Sequence, residues 1–152
     1  RLWFIVLVAN LLGCLAAASV ANAGAAFSAE ARSDFADIGR QALEGSFVAH
    51  VLRGIFAGWL IALMVWLLPF AETARLWVII ILSYLIGLGH FSHVVAGAVQ
   101  TFFVAIHGVA SWKDVLGGYL LPTFIGNVVG GVALVAAINH AQVVAGGQAQ
   151  NL

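Results

Sequence analysis

His90, Ser92 and His93 sit together in the middle of an apolar segment running from Leu76 to Ile106, bracketed by Gly87, Gly89 and Gly97. Imidazoles and a hydroxyl are costly inside such a stretch unless they act or find partners. An uncharged imidazole at bilayer depth can give a proton or a hydrogen bond to an anion, and histidine titrates near neutral pH. His93 is the candidate for that chemistry. The plain alternative is a hydrogen bond between helices. His90 lies three residues earlier, on the same face if the backbone is helical. Together with His50, His107 and His140 these side chains could suggest haem or metal ligation. No carboxylate or cysteine accompanies them at ligand spacing, so no metal or cofactor is expected.

The elements that must position these groups are set by composition. The 152 residues are 63% hydrophobic and only 8% charged, against about 25% charged in an ordinary soluble domain. Such a chain cannot cover a water-facing surface, and it reads as an all-α, polytopic membrane protein whose first partner is the lipid bilayer. Six basic residues balance six acidic ones, so there is no basic patch for nucleic acid. Cys14 is the sole cysteine, which rules out a disulfide within the chain. In its apolar run it reads as a small buried hydrophobe.

Residues 1–26 form a first span, almost uninterruptedly apolar. Ala21-Asn22-Ala23 resembles a signal-cleavage site, but the run is long for a signal core. The expectation is a span cut from a longer protein. Asn10 within it calls for an interhelical hydrogen bond. Residues 27–45 hold half of all the charges, with Ala31, Phe35, Ile38, Ala42 and Leu43 at helical spacing. They read as a loop with a short interfacial amphipathic helix, or as a plain solvated linker.

Residues 46–142 supply three more spans. The first, 46–70, starts at a capping Ser46 and ends at Pro69. Its Arg53 either snorkels to the interface or faces a protein interior. The second, 75–108, would be about 50 Å long as a straight helix, far more than a bilayer of about 30 Å needs. The glycines at 87, 89 and 97 favour a break near 87–97, giving two half-helices. Unwound backbone at that depth is tolerated only inside protein or beside a cavity, and broken helices point to a transporter's binding site. The half-helix beginning near Val94 would aim free amides at the break, which suits an anion. The third span, 114–141, has Pro122 as a kink or as the start of its main run, and Gly126 and Gly130 at small-xxx-small spacing. Residues 143–152 form a polar tail.

Asn10-Leu11-Leu12-Gly13 echoes Asn127-Val128-Val129-Gly130. If the first span closes an earlier unit of three, the two units have opposite orientation, because three is odd. That is the inverted-repeat architecture of transporters, with the site near the midplane.

Three stretches carry a family resemblance. Arg53-Gly54-Ile55-Phe56-Ala57-Gly58-Trp59-Leu60 through Val65-Trp66 is similar to the fourth-helix signature of the formate/nitrite transporter family. Phe91-Ser92-His93-Val94-Val95-Ala96 resembles the motif of that family's broken fifth helix. Leu120-Leu121-Pro122-Thr123-Phe124-Ile125-Gly126-Asn127-Val128-Val129-Gly130-Gly131 resembles its sixth, and is the most specific of the three. The resemblance implies six spans per subunit, an aquaporin-like fold and a homopentamer with one pore per subunit. His93 matches the family's central pore histidine, Asn127 the asparagine of its sixth helix, and Ile86 an apolar constriction. Ser92 stands where an acidic residue is common, Gly97 where an asparagine is, Ala42 where a lysine is, and His90 where a glycine is typical.

The expected function is a channel or secondary transporter, not an enzyme, for a small monovalent anion such as formate or nitrite, or its neutral acid. The expected setting is a bacterial-type inner membrane. The expected pore residues are His93, Asn127, Ser92, Phe91, Ile86 and His90. The alternative is a membrane assembly or scaffold protein of the same fold that conducts nothing. Loop charges place Arg32, Arg40 and Lys113 weakly on the inside by the positive-inside rule, whereas the resemblance places the 27–45 loop outside.

Overall fold

The computed structural model describes residues 1–149. Among them the regular structure is entirely helical: α1 (Leu2–Asn22), α2 (Ala29–Leu43), α3 (Phe47–Leu67), α4 (Arg75–Leu88), α5 (Val94–Ile106) and α6 (Leu121–Ala149), the last led in by a π-helical stretch, Asp114–Leu120. Three helices are long and apolar enough to cross a membrane: Leu2–Asn22, Phe47–Leu67 and Asp114–Gln142. α4 and α5 are apolar but individually shorter than a span, at 14 and 13 residues. The chain is a polytopic, all-helical membrane protein.

Local chemistry explains most of the boundaries. Ser28 and Ser46 cap α2 and α3, each hydroxyl accepting at 3.2 Å from an amide three residues on, which satisfies one of the orphan donors of a helix start. α3 stops just before Pro69, whose ring disfavours helical backbone in the residue before it. Pro122 does not stop the last span. The register changes in front of it: the Leu121 amide donates to the Leu116 carbonyl, five residues back, and the α-helix runs on from there. The widened turn, which includes Gly117 and Gly118, adapts the backbone to a residue that has no amide hydrogen and would crowd the carbonyl four before it. Helix then continues to Ala149, past the expected end at 141, with no proline to interrupt it.

Two packing relationships shape the molecule. α5 is the central element: Val94, Ala98, Phe102, Phe103 and Val104 are buried on it, against Cys14 and Ala18 of α1, Ala36 of α2, and Val115 and Tyr119 of the π-turn. The amphipathic helix α2 therefore covers α5. Phe35 wedges edge-on between Phe27 and Phe103. A Cβ added to Gly39 would run into Val104 and the Gln100 carbonyl.

The second relationship is the α3–α6 seam. Gly54 and Gly58 on α3 lie against Gly126, Asn127 and Gly130 on α6. The order of the contacts rises together in both helices, so they run parallel. A Cβ on Gly58 would collide with Asn127 backbone, and one on Gly130 with the Ile55 carbonyl. Two small-xxx-small motifs thus meet face to face, and backbone touches backbone. Asn10 does not make the interhelical bond expected of it. It is exposed, and its amide donates at 2.9 Å to the Val6 carbonyl of its own helix.

Candidate functional site

The chain between α4 and α5 is non-helical, and its backbone groups are accounted for from both sides. α4 ends in a Schellman motif: Phe91 N–H donates to the Ile86 carbonyl at 3.0 Å and His90 N–H to the Gly87 carbonyl at 3.1 Å. The residue that must turn left-handed in this motif is usually glycine. Here it is His90, with φ of 49°, the one non-glycine residue of positive φ among those described. Phe91 folds back over Gly89, where a Cβ would strike its ring, and stacks on Phe56 of α3 at 5.2 Å between centroids.

α5 begins with His93 as its cap. The imidazole Nδ1 accepts from Ala96 N–H at 3.4 Å, a long contact but in capping register. A nitrogen that accepts carries no hydrogen, so the neutral ring in this geometry bears its proton on Nε2. The next donor, Val94 N–H, goes at 2.9 Å to Oδ1 of Asn127 on α6. The Asn127 amide nitrogen donates at 2.9 Å to the Ser92 carbonyl and at 2.9 Å to the Gly54 carbonyl. One side chain thus ties both sides of the break to α3. The helix N-terminus keeps its favourable dipole, but two of the amides expected to be free for an anion already have partners.

A cavity of about 350 Å³ opens at the break. Ile86, His90, Phe91, Ser92 and His93 line it; Asn127 does not, because it stands behind the break as its brace. Five of the six expected pore residues are therefore together, and the sixth holds them. Sequence reasoning left Arg53 of α3 open between interface and interior and missed three further lining residues: Gln41 of α2, Gln100 of α5 and Tyr119. Arg53 faces this interior, and its guanidinium donates at 2.8 Å to the Glu44 carbonyl. Among the described residues no Asp or Glu lines the cavity, and Arg53 brings one full positive charge to it. Tyr119 fills the space that a side chain at 97 would need: a Cβ on Gly97 would collide with its hydroxyl. No group of three or more His, Cys, Asp or Glu that could hold a metal occurs among the described residues.

Comparison with known proteins fits this arrangement. The formate/nitrite transporter family profile matches residues 1–141. The chain belongs to the formate/nitrite transporter family. It is similar to the inner membrane protein YfdC of Escherichia coli (strain K12), at 37% identity over 143 residues, covering 94% of this chain and 46% of the relative. It is also similar to the uncharacterized transporter YrhG of Bacillus subtilis (strain 168), at 30% identity over 143 residues, covering 90% of this chain and 52% of that protein. The chain spans about half the length of these relatives. No solved structure matches it.

Within this formate/nitrite transporter chain, the departures noted in the sequence have local structural counterparts. Gly97 leaves room for Tyr119. Ala42 lines the same cavity as Arg53, which brings a cation from the neighbouring helix. Tyr119 gave no signal in the sequence beyond being one of two tyrosines.

Proposed function

We propose that this chain is part of a pore for small monovalent anions, formate or nitrite among them, in a bacterial inner membrane. The observation that carries the reading is the cavity at the break, which joins Arg53, His90 and His93 and holds no carboxylate among the described residues. In a low-dielectric wall a guanidinium raises the local concentration of anions and repels cations. Ile86 and Phe91 narrow the passage with apolar surface, where an anion without compensation is strongly disfavoured and a neutral acid is not.

His93 meets the anion at that point. Its Nε2–H is the donor that the capping geometry leaves for a ligand. Protonation at Nδ1, at the expense of the Ala96 contact, would let the Nε2 proton pass to the anion, which then crosses as its neutral acid. The matching Asn10 and Asn127 motifs support an inverted repeat, with the family resemblance supporting an aquaporin-like subunit in a homopentamer.

The test is flux of formate and of nitrite in liposomes carrying the full-length protein, for wild type and His93→Ala. Loss of flux in the variant supports the reading. Flux unchanged at every pH overturns the role of His93. No flux of either anion in wild type favours the non-conducting assembly protein.

A further inference from the structure

His50 is the largest fully buried side chain in the molecule, at 1% exposure, and neither of its ring nitrogens has a hydrogen-bond partner. The Thr123 hydroxyl, at 0% exposure, is also without one. Burying such groups unsatisfied carries the full cost of stripping them of water. Buried polar groups left unpaired by protein are ordinarily paired by internal water. The two residues are not scattered. The His50 ring packs edge-on against Tyr119, 5.1 Å between centroids, Tyr119 and Ser92 line the same cavity, and Thr123 stands one turn on from Tyr119 along the same span.

The parallel α3–α6 seam explains the alignment. Tyr119, Thr123 and Asn127 recur every four residues and form one polar stripe on a helical face. Opposite them on α3 stand His50, Gly54 and Gly58 in the same order. The stripe starts at His50 and ends at Asn127, which holds the Ser92 carbonyl. Tyr119 and Ser92 belong both to this buried set and to the cavity wall. His50 and Thr123 lie behind that wall.

We propose that His50, Tyr119, Thr123 and Ser92 enclose bound water and form a proton path to the break, separate from the route of the anion. The inference rests on the anion-transport reading and deepens it. A proton from water adds to one ring nitrogen of His50 as the other nitrogen releases its proton to the internal water; this leaves the opposite tautomer, and a flip of the ring resets it before the next proton. The hydroxyls of Tyr119, Thr123 and Ser92 each accept one hydrogen bond and donate the next. The proton leaves the Ser92 end through bound water onto Nδ1 of His93, whose Nε2 proton passes to the anion. The groups around His50 are Tyr119 from the π-turn, Arg53 from its own helix, and Leu43, Glu44 and Gly45 from the connection before α3. Arg53 is the cation among them and holds Glu44 by its backbone carbonyl, so an anion bound at the guanidinium favours proton uptake at His50 and couples the two routes.

The experiment uses the full-length protein in liposomes with a pH dye inside and labelled formate outside. Formate uptake and proton uptake are read together for wild type, His50→Phe and Tyr119→Phe. Both substitutions keep an aromatic ring in place: Tyr119→Phe removes only the hydroxyl, and His50→Phe replaces the two ring nitrogens by a somewhat larger apolar ring. The proposal expects proton-linked uptake to fall at least about tenfold in each variant, with its pH profile flattened and the formate KM little changed. Wild-type transport with an unaltered proton-to-formate ratio and pH profile in both variants overturns the path and leaves the transport reading standing. Absence of formate uptake in wild type overturns both. If His50→Phe does not yield folded protein, Tyr119→Phe decides the question by itself.

Discussion

Asn127 grips Val94 and Ser92 from behind the break, taking the amide of one and giving its own hydrogen to the carbonyl of the other, each at 2.9 Å. Backbone that leaves helical geometry inside a membrane must find its partners within the protein, and here one amide side chain from a helix 33 residues further on supplies them. The local fit is complete: Asn127 uses both of its hydrogens and one oxygen lone pair, the second hydrogen reaching the Gly54 carbonyl.

Asn127→Ala removes three bonds at once and leaves the Ser92 carbonyl and the Val94 amide short of a partner, while the Gly54 carbonyl keeps its bond within α3. The expected result is a loss of roughly 1–3 kcal/mol for each group left unsatisfied, read as a lower Tm in detergent. Asn127→Asp preserves the acceptor for Val94 but not the donors, so it too should fall below wild type. A Tm equal to wild type in both variants would refute the brace.

The α3–α6 seam makes a sharper contrast between neighbours. Gly130→Val forces a branched side chain onto the Ile55 carbonyl and should abolish folded, monodisperse protein. Gly131→Ala places its Cβ no closer than 3.8 Å to the Gly58 carbonyl and adds helix propensity of about 0.8–1 kcal/mol. It should be tolerated or mildly stabilising, as size-exclusion profiles and thermal melts of the pair will show.

Removing the His90 side chain tests its backbone independently of its chemistry. A left-handed conformation costs a residue with a Cβ roughly 1–2 kcal/mol, and glycine nothing comparable. His90→Gly is therefore expected to raise Tm. If it also leaves formate flux intact, the imidazole at 90 contributes to the cavity wall without taking part in passage.

His93→Asn separates the two roles of that residue. Asparagine caps helices well, so stability should stay within about 1 kcal/mol of wild type, while the Nε2–H donor is gone and flux should fall with it. His93→Ala loses both. Equal flux in wild type and His93→Asn would show that the ring serves only as a cap.

Arg53→Gln keeps hydrogen-bonding capacity toward the Glu44 carbonyl and removes the charge. Electrostatic recruitment is screened by salt, so wild-type uptake should decline with ionic strength and the variant should be slower at low salt, by about tenfold, and nearly flat with salt. Parallel salt profiles for the two proteins would exclude Arg53 from recruitment.

Some of this architecture is legible in the sequence because it is written in local properties. Hydropathy and length mark the spans, serines mark two helix starts, and glycines mark the neighbourhood of the break: Gly89 lies in the non-helical stretch between Leu88 and Val94, whereas Gly87 and Gly97 fall inside α4 and α5. The polar identity of His93 and its neighbours stands out for the same reason. Long-range partners are not written that way. Nothing near Val94 announces Asn127, and nothing near Gly54 and Gly58 announces that they oppose Gly126 and Gly130. Arg53 was open between interface and interior, since only the fold decides which side of α3 meets the cavity. His90 looked like chemistry, and its most distinctive property is a backbone angle.

The same brace has a consequence for how the protein is made. Ribosomes extend a chain at roughly 5–20 residues per second, so Asn127, 33 residues after Val94, follows it by about 2–7 s. During that interval the unwound stretch has already been synthesised while its bonding partner does not yet exist. The break can settle in lipid only after α6 arrives, parallel to α3, and closes the glycine seam. Folding of the break is thus ordered from α6 back to α5, and any delay in delivering α6 leaves unwound backbone without its partners.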